Sequence, residues 1–269
     1  MNEQFEVVSG TAGLACDVTG AGPAIVCLHA GVADRRVWAG STKLLAERFR
    51  VYAYDRRGYG TTTYEPEAFS SAIDLAAVVK ATATDRVALI GNSLGGRVAL
   101  DYTLDNPDRV SALVLIAPAI SGAPQPAGFS SRVEELDAMV EAADAAGDLD
   151  EVNRLEAHLW LDGPESDEGR VGGEERALFL DMNGRALRAV DPGEEITPPS
   201  AWDRLEDLTV PTLMIVGNRD LRFYRTEAGA VAQRAGNAKF VLVDDVAHLP
   251  MLERPEEFAA MVQEFLDSI

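Results

Sequence analysis

The sequence predicts an α/β fold with a doubly wound, mostly parallel sheet, and three observations support this prediction. Unbroken apolar runs recur along the chain as AIVCL, VALIG, ALVLIA, TLMIVG and KFVLV. Buried parallel strands have this composition because helices cover both faces of their sheet. Stretches with the apolar spacing of helices separate the runs. Finally, a chain of 269 residues is long enough for one such domain with an insertion.

The predicted elements follow one another regularly over the first 120 residues. Two β-rich stretches, FEVV and LACDV, precede the strand AIVCLH. A helix is then predicted over residues 42–48, followed by the strand VYAYD and a helix over residues 73–82. The strand RVALIG, a helix from Leu94 and the strand VSALVLIA complete this part of the chain.

The alternation of strands and helices stops at SGAPQPAGF, residues 121–129, and resumes at VPTLMIVG, residues 210–217. The sequence between these points has helical periodicity and includes two polar stretches that we predict to be loops, residues 162–175 and 191–200. We therefore predict a core of residues 1–120 and 209–269 with a helical insertion of residues 121–208.

Three local signals mark helix ends inside this insertion. Ser131 with Glu134, and Asp148 with Glu151, have the spacing of capping boxes, in which a side-chain oxygen accepts from a free backbone N–H. Gly147 is a suitable residue for the end of the first of these helices.

Composition excludes several classes of function. A net charge of −20 and a pI near 4.5 argue against nucleic-acid and anionic-membrane partners, and favour a neutral or cationic small-molecule substrate. No apolar run approaches the roughly 20 residues that span a bilayer, and the opening MNEQFEVVSG is unlike a secretory signal. We expect a soluble, cytoplasmic protein whose oligomeric state the sequence leaves open.

The two cysteines do not indicate a metal site or a disulfide. Cys16 and Cys27 lie in β-like stretches without the spacing of a metal-binding motif. We expect both to be reduced thiols in the core, and we expect the protein to need no metal and no cofactor.

A G-x-S-x-G motif follows the strand VALI and precedes a helical stretch. This strand–turn–helix context is the one that a nucleophile elbow requires. Small residues at Gly91 and Gly95 would allow the tight turn that presents the hydroxyl of Ser93 above the sheet. The N–H of Leu94, at the start of the helix, would then point to a developing oxyanion.

A nucleophilic serine needs a base, and the base needs an orienting acid; in folds with a G-x-S-x-G elbow, the chain order is serine, acid, histidine. His248 is the only one of three histidines that follows the insertion, and it comes after the last strand-like run. Asp220 ends the stretch TLMIVGNRD and is our choice for the acid, although Asp244 and Asp245 stay possible. His158 lies in a helical segment, where we expect a structural role.

A second oxyanion donor should come from the loop after AIVCL, whose sequence is His29-Ala30-Gly31-Val32. We predict that the N–H of Gly31 is this donor. His29 precedes the loop, and we expect it to brace the loop by hydrogen bonding.

Together these residues resemble the α/β-hydrolase superfamily over nearly the whole chain outside the insertion. In that family, a strand ends in His-Gly, a helix begins near a tryptophan, and the next strand leads into Asp-x-Arg-Gly-x-Gly. LHAG, Trp38 and DRRGYG occupy these places, although Ala30 replaces the usual glycine. The stretch VAHLPMLERP is similar to the family's histidine loop. Within DRRGYG, we expect Asp55 and Arg57 to form a structural ion pair.

The resemblance implies that the insertion is a helical cap over the nucleophile, with apolar residues lining a pocket. Candidates for the lining or for packing of the cap are Val32, Phe129, Met139, Trp160, Phe179, Met182 and Leu249.

Hydrolysis of a small apolar ester or lactone, through an acyl-enzyme, is the function that these residues favour. Dehalogenases and epoxide hydrolases of the family are disfavoured, because they have an aspartate where Ser93 stands. Carbon–carbon bond hydrolases share Asn92, but they usually have tryptophan in the place of Leu249. The sequence is also compatible with a cofactor-free haloperoxidase-like enzyme and with a ligand-sensing protein that turns over slowly.

Overall fold

The computed structural model describes residues 3–124 and 128–269, so part of the predicted break at 121–129 lies outside the described residues. Eight strands form one sheet in the order β1-β2-β4-β3-β5-β6-β7-β8. The strands are β1 (Glu3–Ser9), β2 (Ala12–Gly20), β3 (Ala24–Leu28), β4 (Arg50–Tyr54), β5 (Val87–Asn92), β6 (Val110–Ile116), β7 (Thr212–Gly217) and β8 (Ala238–Val243). The predicted α/β fold is confirmed.

Helices cover the sheet and fill the insertion. Those of the core are α1 (Ala39–Leu45), α2 (Ser71–Ala81), α3 (Leu94–Asp105), α7 (Arg222–Arg234), α8 (Pro250–Glu253) and α9 (Pro255–Asp267). Between β6 and β7 lie α4 (Ser131–Ala145), α5 (Leu149–Glu156), a π-helical turn (Ala157–Asp162) and α6 (Gly173–Ala186). In the described ranges, no helix combines the length and apolar character needed to cross a membrane.

The direction of the strands brings several loops to one edge of the sheet. β1 and β2 pair antiparallel with each other, and β2 pairs antiparallel with β4. Every pairing from β4 through β3, β5, β6 and β7 to β8 is parallel. The carboxyl ends of these six strands therefore lie together, at the edge where ligands of open α/β sheets bind.

Apolar residues form one cluster on each face of the sheet. Val26 and Leu28 of β3 pack toward the side of α2, α3 and α7, whereas Ile25 and Cys27 pack toward the side of α1 and α9. Both cysteines are buried free thiols, as predicted, and burial raises the pKa of the Cys16 thiol to about 12.

Two of the three predicted helix-end signals in the insertion are correct. The Asp148 side chain accepts a hydrogen bond from the N–H of Glu151 at 3.1 Å, and Gly147 has a φ of 71° after α4. The predicted cap at Ser131 is wrong by one residue, because Ser130 accepts the N–H of Val133 instead. Ser130 and Ser131 carry the same hydroxyl group, so the sequence spacing alone does not show which of the two caps the helix.

The predicted Asp55–Arg57 ion pair is wrong. The Asp55 carboxylate accepts the backbone N–H of Arg35 at 2.8 Å and pairs with the Arg35 guanidinium. Arg57 instead pairs with Asp74 of α2 at 2.8 Å and with Glu67 at 2.7 Å. Although both residues follow β4 closely, their side chains point toward different parts of the structure.

We predict that Arg57→Met lowers the free energy of unfolding by about 3 kcal/mol or more, because it leaves the Asp74 carboxylate buried without its partner. Urea unfolding measures this loss. The control is Arg132→Met, because the Arg132–Glu135 pair of α4 is exposed, at 41% and 60% of the side chains. We expect that change to cost less than about 0.5 kcal/mol. Equal losses in both variants would contradict the prediction.

Candidate active site

Ser93 lies in the turn between β5 and α3 with a strained backbone. Its φ of 54° and ψ of −117° are unusual for a residue with a side chain. Hydrogen bonds hold it there, since its N–H donates to the Ile116 carbonyl at 2.9 Å and its own carbonyl accepts from Ala119 at 3.1 Å. The turn has the geometry of a nucleophile elbow at the carboxyl edge of the sheet.

Glycines make this turn possible. A methyl group on Gly91 would lie 2.5 Å from the Gly95 carbonyl oxygen, and one on Gly95 would lie 2.4 Å from the Leu28 carbonyl oxygen. These distances are too short for any side chain. Both positions of the G-x-S-x-G motif are therefore fixed by close packing of backbone against backbone.

The structure brings His248 and Asp220 together. His248 Nδ1 lies 2.7 Å from Asp220 Oδ2, and both side chains are almost completely buried. The other carboxylate oxygen, Oδ1, accepts the N–H of Leu221 at 2.7 Å. Asp220 thus holds the imidazole with Nδ1 protonated and leaves Nε2 free for another partner.

Asn92, which precedes the elbow serine, ties the elbow to the histidine loop. Its side-chain amide donates to the Ile116 carbonyl at 3.0 Å and to the His248 carbonyl at 3.2 Å. Sequence reasoning used this residue only to compare branches of the family. Its contact in the fold assigns it a positioning role.

Two aromatic rings enclose the His248 imidazole. The ring centroids of Trp160 and Tyr224 lie 4.8 Å and 5.0 Å from that of His248. Trp160 belongs to the π-helical turn of the insertion, and its carbonyl accepts the N–H of His248 at 3.2 Å. Turns of this kind often occur at functional sites. Trp160 was a predicted pocket residue, and the structure places it directly on the histidine.

Tyr224 was missed by sequence reasoning. Burial raises the pKa of its phenol far above the ordinary value, the Asp220 charge raises it further, and hydrogen bonding with the Ser93 side chain lowers it. Among the described residues, Ser93 has no hydrogen bond to His248 in this structure. The only signal in the sequence was its position four residues beyond Asp220, at the start of α7.

The loop after β3 is held by His29. Its Nδ1 donates to the Ala30 carbonyl at 2.7 Å, and its Nε2 accepts the N–H of Arg56 at 3.1 Å. Burial lowers the pKa of His29 well below its ordinary value, and the Arg56 charge adds to this. A neutral His29 fixes the loop that carries Gly31, which lies against the Leu94 side chain. Two backbone N–H groups, of Gly31 and Leu94, thus come from adjacent segments beside Ser93.

The two remaining candidate acids and the buried histidine of the insertion have partners elsewhere. The Asp244 carboxylate accepts a hydrogen bond from the side-chain amide of Asn218 at 2.8 Å. The half-exposed Asp245 forms a salt bridge with Arg219 at 3.0 Å. His158 is buried, and its Nε2 donates to the Ser166 carbonyl at 2.9 Å. None of the three has a hydrogen bond to His248 within the described part of the chain.

The remaining predicted pocket residues do not share one environment. Val32 is half-buried against the core, and Leu249 is fully buried in it. Phe129 is 41% exposed and packs edge-on against Phe223 at 6.1 Å. It lines a small cavity of about 70 Å³ that also reaches Asp220.

The residues predicted to pack the cap also differ from one another. Phe179 and Met182 are fully buried on α6, whereas Met139 is exposed on α4. In the described ranges, no group of three or more metal-ligating side chains is present.

The fold and this site define a class of protein: an enzyme of the α/β-hydrolase type, with an elbow serine and a histidine–aspartate pair at one sheet edge. The sequence model described as the alpha/beta hydrolase family matches residues 25–261. The chain therefore belongs to the alpha/beta hydrolase family.

Two relatives are similar along nearly their whole length. A pimeloyl-[acyl-carrier protein] methyl ester esterase of Aeromonas hydrophila is 26% identical over 92% of this chain and 96% of its own. An enzyme of the same description from Nitrosomonas europaea is 29% identical over 91% of this chain and 96% of its own. A thermophilic esterase structure from Thermogutta terrifontis has a TM-score of 0.73 at 25% identity, covering 100% of this chain and 98% of that one.

Proposed function

We propose that this enzyme hydrolyses carboxylic esters through an acyl-enzyme formed on Ser93. The observation that carries the proposal is the buried His248–Asp220 hydrogen bond of 2.7 Å beside a strained elbow serine. A histidine held by a buried carboxylate is the base that a serine hydroxyl needs. The esterases among the similar proteins give further support.

In the first half of the reaction, the Ser93 hydroxyl turns toward His248 Nε2 and loses its proton to it. Ser93 Oγ then attacks the ester carbonyl carbon, and the N–H groups of Gly31 and Leu94 stabilise the oxyanion. Protonated His248 gives the proton to the leaving alkoxide as the C–O bond breaks. Asp220 stabilises the imidazolium during this step.

In the second half, water replaces the alcohol. His248 takes a proton from the water, and the resulting hydroxide attacks the acyl carbon. The same two N–H groups stabilise the second oxyanion, and His248 returns the proton to Ser93 Oγ. The products are an alcohol and a carboxylic acid, and no cofactor takes part.

We further propose that residues 121–208 act as a cap and that the substrate is a small ester or lactone with an apolar part. Trp160 supports this role, because it comes from the insertion and covers one face of the His248 imidazole. A substrate beside the imidazole would contact this ring and the ring of Tyr224. Apolar walls also strengthen the electrostatic interactions of the oxyanion, because they exclude water.

The proposal is tested by burst kinetics with p-nitrophenyl butyrate and by mass spectrometry of the intact protein. We expect a burst of about one equivalent of p-nitrophenol, an acyl adduct and steady turnover, because acylation and deacylation are separate steps. Ser93→Ala should lower kcat by about 10⁴-fold or more. The control Ser268→Ala, at the exposed end of the chain, should behave as wild type.

Two outcomes of this test would contradict ester hydrolysis, and a third would contradict the role of Ser93. An adduct that forms once without turnover would indicate a ligand-sensing protein. No reaction with esters of any chain length would favour carbon–carbon bond hydrolysis or haloperoxidase-like chemistry. Turnover that survives in Ser93→Ala would remove Ser93 from the mechanism.

We predict that Asp220→Asn lowers kcat by about 10³- to 10⁴-fold, because an amide can donate to Nδ1 and favour the wrong imidazole tautomer. The matched control is Asp245→Asn, which changes a carboxylate near the histidine loop that has no hydrogen bond to His248 among the described residues. We expect less than about a threefold change there, as for a surface substitution. Steady-state kinetics of both variants, each checked for folding by circular dichroism, measure the difference. A large loss in Asp245→Asn with normal activity in Asp220→Asn would assign the acid role to Asp245.

A further inference from the structure

Arg56 carries a buried guanidinium that is only partly satisfied. The residue is 7% exposed, and its Nε and Nη2 have no hydrogen-bond partner among the described residues. Its guanidinium carbon lies 4.5 Å from the centre of the Tyr59 ring. A cation–π contact offsets part of the desolvation cost but leaves the N–H groups unpaired. Such a group indicates a missing hydrogen-bond acceptor.

A second arginine lies nearby on α3. Arg97 Nη2 pairs with Glu195 at 2.5 Å, while its Nε is buried without a partner among the described residues. Burial would raise the pKa of Glu195, but hydrogen bonds from Ser71 and Arg97 and the charges of Arg97 and Arg56 lower it. The charges of both guanidinium groups therefore act on the Glu195 carboxylate, which forms a salt bridge with Arg97.

This pair of arginines borders the candidate active site. The N–H of Arg97 donates to the Ser93 carbonyl at 3.0 Å, so Arg97 lies one helical turn from the elbow. The N–H of Arg56 donates to His29 Nε2, at the base of the loop that carries Gly31. The Tyr59 ring that the Arg56 guanidinium covers lies 4.8 Å from the His29 ring, so Arg56 lies close to the start of this loop.

We propose that Arg56 and Arg97 bind a carboxylate group of the substrate, so that the preferred substrate is an ester that also bears a free carboxylate. The inference rests on the proposed ester hydrolysis and specifies its substrate class. Guanidinium groups recognise carboxylates through paired N–H donors, and the three nitrogen atoms that lack partners among the described residues provide such donors. The sequence expectation of a neutral or cationic substrate considered only the overall charge, which says little about the field at one site.

Glu195 holds the place of this carboxylate in the structure. It belongs to the loop of residues 191–200 in the insertion, and its backbone bridges to Phe69 rather than to the core sheet. A change in the direction of the Glu195 side chain would free Arg97 for the substrate and would break the hydrogen bond from Ser71. The carboxylate of the substrate would then replace that of Glu195 at the same guanidinium.

The test compares two series of methyl esters. One series contains the monomethyl esters of unbranched dicarboxylic acids with about four to eight carbons, and the other carries a terminal carboxamide instead of the carboxylate. We expect wild type to prefer the anionic ester at least about tenfold in kcat/KM at one chain length. In Arg56→Met and Arg97→Met, this preference should fall by about tenfold, because a charge-assisted hydrogen bond is lost.

Binding is measured separately on the Ser93→Ala variant by calorimetry with the same uncleaved monomethyl esters. Because this measurement needs no turnover, it separates failure of anion recognition from failure of ester hydrolysis. Arg132→Met, on the exposed face of α4, is the matched arginine control and should retain the wild-type preference. Arg56→Lys keeps the charge and should retain part of the preference if Arg56→Met does not fold.

Two results would overturn the proposal. The first is a wild-type enzyme that treats the two series alike or prefers the carboxamides. The second is a preference for carboxylates that is as strong as in wild type in both Arg56→Met and Arg97→Met, or in both Arg56→Lys and Arg97→Met if Arg56→Met does not fold. Glu195→Gln gives a further check, because it removes the competing carboxylate and should lower the Kd of the anionic ester by about threefold or more.

Discussion

The strained turn at Ser93 is the constraint on which the rest of the site depends. A positive φ in a residue with a side chain persists only where the surroundings enforce it. Here the backbone of β5 and α3 packs so closely at Gly91 and Gly95 that the turn has no room to relax. The hydrogen bond from the Ser93 N–H to Ile116 fixes its position against β6. The direction of the hydroxyl is thus set by the packing of the sheet.

The other functional groups reach this turn because parallel strands end at one edge. Loops after β3, β7 and β8 bring Gly31, Asp220 and His248 to the elbow after β5. Asn92 adds a direct link, since one amide group contacts both β6 and the histidine loop. The site is therefore rigid on the core side, whereas Trp160 comes from the insertion. In the proposed reaction, contacts with the substrate depend on that second part of the chain.

The features that could be predicted from the sequence are those that depend on residues close together in the chain. The elbow could be found because its glycines, serine and flanking strand and helix occur in one short stretch, and the order of Asp220 and His248 along the chain then limited the choice. Tyr224 and Arg56 could not be assigned, because their roles depend on contacts between distant segments. The predicted ion pair within DRRGYG was wrong for the same reason: proximity in sequence does not show which way two side chains point. Leu249 shows that apolar character alone does not identify a pocket.

The assignment of Ser93 as nucleophile and His248 as base is tested by covalent labelling with a fluorophosphonate, followed by peptide mass spectrometry to locate the label. Such a reagent reacts with a serine only when a neighbouring base makes its oxygen nucleophilic. We expect one phosphonyl group per chain, located on the peptide that contains Ser93, and labelling that becomes at least about 100-fold slower in His248→Asn. Labelling at another residue, or an equal rate in the His248 variant, would contradict the assignment of Ser93 and His248 as nucleophile and base.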